Sequence, residues 1–143
     1  MSYLSDFERS FSEHTLQIVR DYDGPFDATI MINCLLGLLV VPKETVLEAI
    51  PDSPLTELPG WGIKTESIRS PGRPTKTNPH PETIRGLVAN LRHSVAHFSI
   101  HPVPATNEVH SFRYINNSGL DAVISLSEMK DFVMKLSEHL SSQ

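Results

Sequence analysis

The 143-residue chain gathers its most reactive side chains in one short run, Leu91 to His97, LRHSVAH. A histidine near neutral pKa can take a proton from a hydroxyl in one role and return one to a leaving group in the other. An arginine carries a permanent, forked charge that fits phosphate oxygens and the extra charge of a phosphorane-like transition state. Arg92 and His97 therefore suffice in principle, with no metal, for attack of an RNA 2′-hydroxyl on its neighbouring phosphate. Five residues apart, they stand about 140° from one another around a helix. Arg92 must then reach around, or act with His97 of a second copy. By itself such a pair is an unspecific signal.

Other chemistries find less support. His93, His97 and His101 recur at steps of four, a spacing that can grip zinc from a helix. However, Ser94 stands where the glutamate of HExxH would be, and Pro102 pushes His101 out of helical geometry. No metal site and no cofactor is expected. No GxSxG elbow is present, and the single cysteine, Cys34, lies in an apolar run where a buried, inert thiol is the simplest reading. The nucleotide cradles GxxxxGK[ST] and GxGxxG are missing too. His80 and His110 read as surface residues.

The element that must position Arg92 and His97 spans Thr83 to Ile100. Ile84, Leu87, Val88, Leu91, Val95 and Phe98 recur at three- and four-residue steps and predict one apolar stripe of a helix. The opposite face holds Gly86, Ala89, Asn90, His93, Ala96 and His97, with Arg92 between the two. That second face has no Lys or Glu, and its small residues would let another backbone approach. It looks built to meet something, a second copy included.

Composition is that of a globular protein, with a formal net charge of -5. The charge is uneven. Gly60 to Arg92 holds six bases (Lys64, Arg69, Arg73, Lys76, Arg85, Arg92) against two acids (Glu66, Glu82), leaving six bases and fifteen acids elsewhere. Arg69, Arg73, Lys76 and Arg85 are thus candidates for receiving an anion such as an RNA phosphate beside the helix. The N-terminus lacks a basic leader and an apolar signal core, and the longest apolar segment, Phe26 to Val41, is short for a membrane span. A cytoplasmic protein with no membrane partner is expected.

Around the key helix, Ser5 to Tyr22 predicts a first helix with Ile18 and His14 on its core side. Phe26 to Val41 predicts a central helix covered all round, with Asn33 a buried amide, and a short helix follows Pro42 through Ile50. Residues 51–81, holding seven of the eleven prolines, predict a long loop. Leu58, Trp61 and Ile63 would pin its first half, leaving Arg69 to Asn78 as an exposed basic tip. Residues 109–126 predict a two-stranded hairpin turning at Asn116–Gly119. Ser125 to His139 predicts the last helix, with a capping box between Ser125 and Glu128.

The run LRHSVAH resembles the signature of the HEPN superfamily, in which Arg is followed by a polar residue, three variable residues and His. The apolar segment ending LLGLLVVP, the proline-rich middle and the hairpin-plus-helix tail resemble a plasmid-associated bacterial branch of it. The resemblance implies a mainly α fold, a HEPN-like bundle of four to five helices with a small C-terminal hairpin, as one domain over residues 1–143. It also implies a homodimer through the 83–100 helix and a composite, metal-independent endoribonuclease site in a toxin or phage-defence setting. An antitoxin or regulatory protein would then be a further partner. His97 would be the catalytic base or acid, Arg92 the phosphate contact and His93 a polar helper, where the family commonly has Asn or Asp. The alternative is a non-catalytic dimer, an RNA- or nucleotide-binding or protein-partner module whose motif helix only forms an interface.

Overall fold

Strict alternation writes the centre of a sheet. In SFRYI, Phe112 and Tyr114 turn to the core; in LDAVIS, Leu120, Ala122 and Ile124 do so. The computed structural model describes residues 13–15, 17, 18, 20, 21, 33, 34, 44–104 and 110–142. Within them the order is helix α1 (Glu44–Ala49), 3₁₀ segments Leu55–Trp61 and Thr65–Ser67, strand β1 (Ile68–Pro71), helix α2 (Ile84–Ala96), strands β2 (Ile100–Val103), β3 (Ser111–Ile115) and β4 (Leu120–Ser125), and helix α3 (Leu126–Ser141). The strands form one antiparallel sheet in the order β1-β4-β3-β2.

This corrects the expected mainly α bundle: the fold is mixed, with helices packed on one face of a four-stranded sheet. The hairpin is its middle, not an appendage. Residues 51–81 contribute 3₁₀ turns and an edge strand rather than a plain loop. Both unforeseen strands, IRSP and IHPV, are four residues long and contain a proline. Proline withholds a ladder donor and so is tolerated at a sheet edge, where β1 and β2 lie. The residue that argued against a strand instead marks an edge one.

The core lies between sheet and helices. Ile84, Leu87, Val88, Leu91 and Val95 of α2 are buried, as are Met129, Phe132, Val133, Leu136 and Leu140 of α3. Leu58 and Ile63 are buried and Trp61 packs against the same cluster, so the first half of the 51–81 segment is pinned as expected. The Ser125–Glu128 capping box is present. Glu128 also accepts from Ser67 Oγ at 2.7 Å and Lys64 N at 3.0 Å, tying that segment to the start of α3. Burial raises the Glu128 carboxyl, but these bonds outweigh it and hold the pKa below the ordinary value. Cys34 is buried. His14, Ile18 and Asn33 are exposed, against expectation, because the stripe or run that included each did not fix which side meets the core. The remainder of 26–41 lies outside the described residues. No helix among the described residues is long and apolar enough to cross a membrane.

The N-terminus of α2 is fully bonded. Thr83 caps it, its Oγ1 accepting from Gly86 N at 3.0 Å. Thr83 N donates to His80 O, Ile84 N to Ser53 O and Arg85 N to Pro51 O. Arg85 Nε donates to Ile50 O at 2.7 Å and Nη2 reaches Glu48 O at 3.5 Å, so its guanidinium fastens the end of α1 to the start of α2. The chain passes so close over the first turn that a Cβ on Gly86 would lie 2.0 Å from His80 O. Asn78 Nδ2 bonds Gly86 O at 2.9 Å. One turn on, the buried Asn90 donates to Pro71 O at 2.8 Å and accepts from Asn116 Nδ2 at 3.0 Å and Ser118 Oγ at 3.4 Å. Gly86 and Asn90, read as part of a face open to a partner, are covered by the chain itself.

Gly86→Ala should destabilise by about 2 kcal/mol, because backbone must move, whereas Gly→Ala inside a helix ordinarily stabilises by up to about 1 kcal/mol. Urea unfolding decides the sign. Asn90→Ala should cost about 2 kcal/mol, by stranding the Asn116 amide and the Pro71 carbonyl; a loss under about 0.5 kcal/mol in the same assay would show that water replaces the amide.

Candidate functional site

The C-terminal end of α2 sets the geometry. Ser99 N donates to Ser94 O at 2.7 Å and Phe98 N to Val95 O at 3.0 Å, the bond pair of a Schellman end. The buried Ser94 adds its Oγ to Ser99 O at 2.9 Å. His97 is the C-cap residue, with φ −94° and ψ 5°. Phe98 takes the left-handed position usually given to glycine, at φ 53°, and is 68% exposed. The apolar stripe therefore ends at Val95, not at Phe98. A bulky residue in this conformation costs about 1–2 kcal/mol, and little burial of its ring offsets that.

His97 N still donates to His93 O at 3.1 Å, so the four-residue step between the imidazoles survives the helix end. Their ring centroids lie 4.3 Å apart at an interplanar angle of 39°. Burial, followed by repulsion from His97, holds the His93 pKa below the ordinary imidazole value. Arg92 is half-buried and makes no hydrogen bond or ion pair with the described residues.

Arg92, His93 and His97 line one open groove of about 910 Å³. Its floor is the exposed strip of α2, with Ala89 and Ala96 between the functional groups. One wall is the segment around Thr75–His80 and another is the Asn116–Ser118 turn, both held against α2 by the Asn78 and Asn90 bonds. Glu48, Asp52 and Arg85 line it near the start of α2, so that end carries one more acid than base and the free cationic charge lies at the other end, with Arg92. From Arg85 to His97 the helix runs about 18 Å, room for several nucleotides.

The structure thus brings Arg92, His93, His97 and Arg85 into one groove. Two nitrogens of Arg85 are already bonded to carbonyls of the chain. Arg69, Arg73 and Lys76 do not line it. Arg69 is exposed on β1, close enough to Asp121 to help hold that carboxyl below its ordinary pKa, after the hydrogen bond and charge of Arg113. Arg73 bonds Asn117 O at 3.1 Å and Lys76 sits on the rim between two lining residues, Thr75 and Thr77. His101 lies on β2 opposite Arg113 and does not line the groove. No cluster of three His, Cys, Asp or Glu suited to a metal occurs among the described residues.

Two residues, Asn90 in the groove and Phe98 just past His97, stand elsewhere than the sequence pattern predicts. Asn90 was assigned to a partner-facing side, and nothing in its neighbours says that it meets the NNSG turn. Phe98 was assigned to the core by periodicity alone. The signal against that was Pro102, which ends helical geometry so soon after Phe98 that a capping position falls there.

A family model described as HEPN pEK499 p136 matches residues 1–143. No curated protein and no solved structure matches the chain. Over its full length, therefore, the chain belongs to the HEPN pEK499 p136 family, a HEPN family of plasmid origin.

Proposed function

We propose that the groove binds RNA and that the protein is a metal-independent endoribonuclease. The observation that carries this reading is the meeting of Arg92, His93 and His97 in one open groove, their side chains without hydrogen-bond or ion-pair partners among the described residues. A structural Arg and His pair would be expected to bond the chain, as Arg85 does. In the reaction, the 2′-oxygen attacks phosphorus as a base removes its proton, the P–O5′ bond breaks, and an acid protonates O5′. The products are a 2′,3′-cyclic phosphate and a free 5′-hydroxyl. Arg92 would hold the phosphate oxygens as charge develops on them.

In-line displacement sets attacking and leaving oxygens on opposite sides of phosphorus. Rings 4.3 Å apart on one helix face approach from the same side. His97 is therefore assigned one proton transfer, with His93 as its polar neighbour, and His97 of a second copy the other. This favours a composite site along the strip Ala89, Arg92, His93, Ala96 and His97. Lys76 at the rim would steer the phosphate backbone, and Arg69, Arg73 and Arg85 would contribute less. The location is cytoplasmic, and a toxin or phage-defence role with a restraining protein partner fits the plasmid origin of the family.

The test is cleavage of RNA in EDTA. His97→Ala should lose about 10²–10⁴ in rate and Arg92→Ala about 10²–10³, with cyclic-phosphate ends in the wild-type products. Cleavage that survives both changes, or that stops with chelator, would sink the mechanism. Dimerisation and RNA capture without turnover would instead identify a non-catalytic module.

The His93 environment gives a separate expectation. Its folded pKa lies below its unfolded value near 6.5, so the unfolded chain binds the proton more readily between the two. Its contribution to stability is complete above about 6.5 and is lost as pH falls through the depressed folded value. Between pH 7.5 and 5, His93→Asn should lose less stability than wild type by urea unfolding. An identical loss in both would remove His93 as the responsible group.

A further inference from the structure

We infer that Phe98 is a substrate-binding residue: its ring is the stacking platform for a nucleobase next to the phosphate attended by His97. The inference rests on the RNA-binding reading of the groove. Three observations converge. The ring is 68% exposed, whereas the apolar residues of α2, Ile84, Leu87, Val88, Leu91 and Val95, are at most 1% exposed. Its backbone sits at φ 53° in a helix end where glycine would be unstrained. It directly follows His97, which lines the groove, without lining the groove itself, and consecutive Cα atoms are about 3.8 Å apart, so ring and imidazole serve a stretch no longer than about a nucleotide or two. A strained, exposed aromatic beside candidate catalytic groups is a costly arrangement for the folded chain alone.

The surroundings select a base over a protein surface. Interface cores are contiguous apolar patches. Phe98 stands in the chain between His97 and Ser99, and of the other exposed large apolar residues among those described, Val103 is at the far end of β2 and Ile18 is eighty residues earlier in the chain. A single exposed aromatic directly after an imidazole suits a ligand with a flat face, polar edges and an anionic backbone. That is a single-stranded nucleotide.

The test uses a His97→Ala background, so that the probe is not consumed. Binding of a labelled oligoadenylate is compared with that of an abasic ribose-phosphate oligomer of the same length. Adding Phe98→Ala should weaken oligoadenylate binding about tenfold and leave the abasic oligomer unchanged. Phe98→Trp should keep the affinity and show indole quenching on binding. Phe98→Gly should raise the melting temperature by a few degrees while weakening binding, a combination that a structural ring does not give. Equal oligoadenylate affinity with and without the ring overturns the inference. So does a change in dimer dissociation with oligonucleotide affinity unchanged, which would make Phe98 a contact to a second copy. Base-dependent, Phe98-dependent binding by a protein that cleaves nothing would end the nuclease reading and leave the stacking one standing. Conversely, wild-type kcat and KM for Phe98→Ala would end the stacking reading and leave the nuclease.

Discussion

The groove depends on one buried amide. Asn90 sits midway along α2, and both ends of its side chain are committed: its nitrogen to the carbonyl that ends β1, its oxygen to the turn between β3 and β4. A buried amide without partners would be unfavourable, so these bonds favour the three segments forming together. Asn116 extends the constraint, since its oxygen accepts from Ser118 N, Ser118 Oγ and Leu120 N. The result is that the 116–118 wall of the groove is fixed relative to its floor by directional bonds rather than by apolar contact alone, as Asn78 fixes the 75–80 wall through Gly86 O. Apolar packing fills space but tolerates small slips. A hydrogen-bonded hub beside His93 and His97 does not.

A second constraint is where charge can be received. Helix N-termini are the usual backbone site for anions, through unbonded N–H groups and the dipole. Here that end is closed: Thr83, His80, Pro51 and Ser53 consume its donors. The candidate side chains lie at the other end of α2, where the dipole is negative and favours cations. Under the proposed reading, phosphate recognition at this end must therefore come from side chains, and Arg92 with two imidazoles would provide it without backbone help. The negative helix end favours a proton on His93, but burial, followed by repulsion from His97, outweighs it and holds the pKa below its ordinary value.

Sequence made the motif, the buried stripe of α2 up to Val95, the last helix with its capping box and the central hairpin legible, because each is a local pattern with one period or one cap. What it hid is non-local. Ile68–Pro71 and Ile100–Val103 are strands only because β4 and β3 supply the ladder, and their prolines are harmless because, among the described residues, no further strand pairs beyond them. Gly86 read as a small residue inviting another molecule. In the fold the invitation is taken by His80 of the same chain. The groove itself, built from α1, α2, the 75–80 segment and the 116–118 turn, follows from tertiary placement that no spacing in the sequence encodes.

These same facts narrow how a second copy can approach. With Gly86 and Asn90 covered, the open strip of α2 is Ala89, Arg92, His93, Ala96 and His97. A stable interface buries about 800 Å² per partner, roughly 20–30 residues, far more than one narrow strip presents. A composite site must therefore draw most of its contact from other elements, with α2 meeting α2 only along a short seam. That arrangement has a mechanical merit. If the bulk of the contact lies elsewhere, the strip is free to stay partly wet and wide enough for a ribose-phosphate backbone to pass between two sets of Arg92 and His97. A helix face packed tightly against its mate could dimerise well, but it would close the groove on which the chemistry depends.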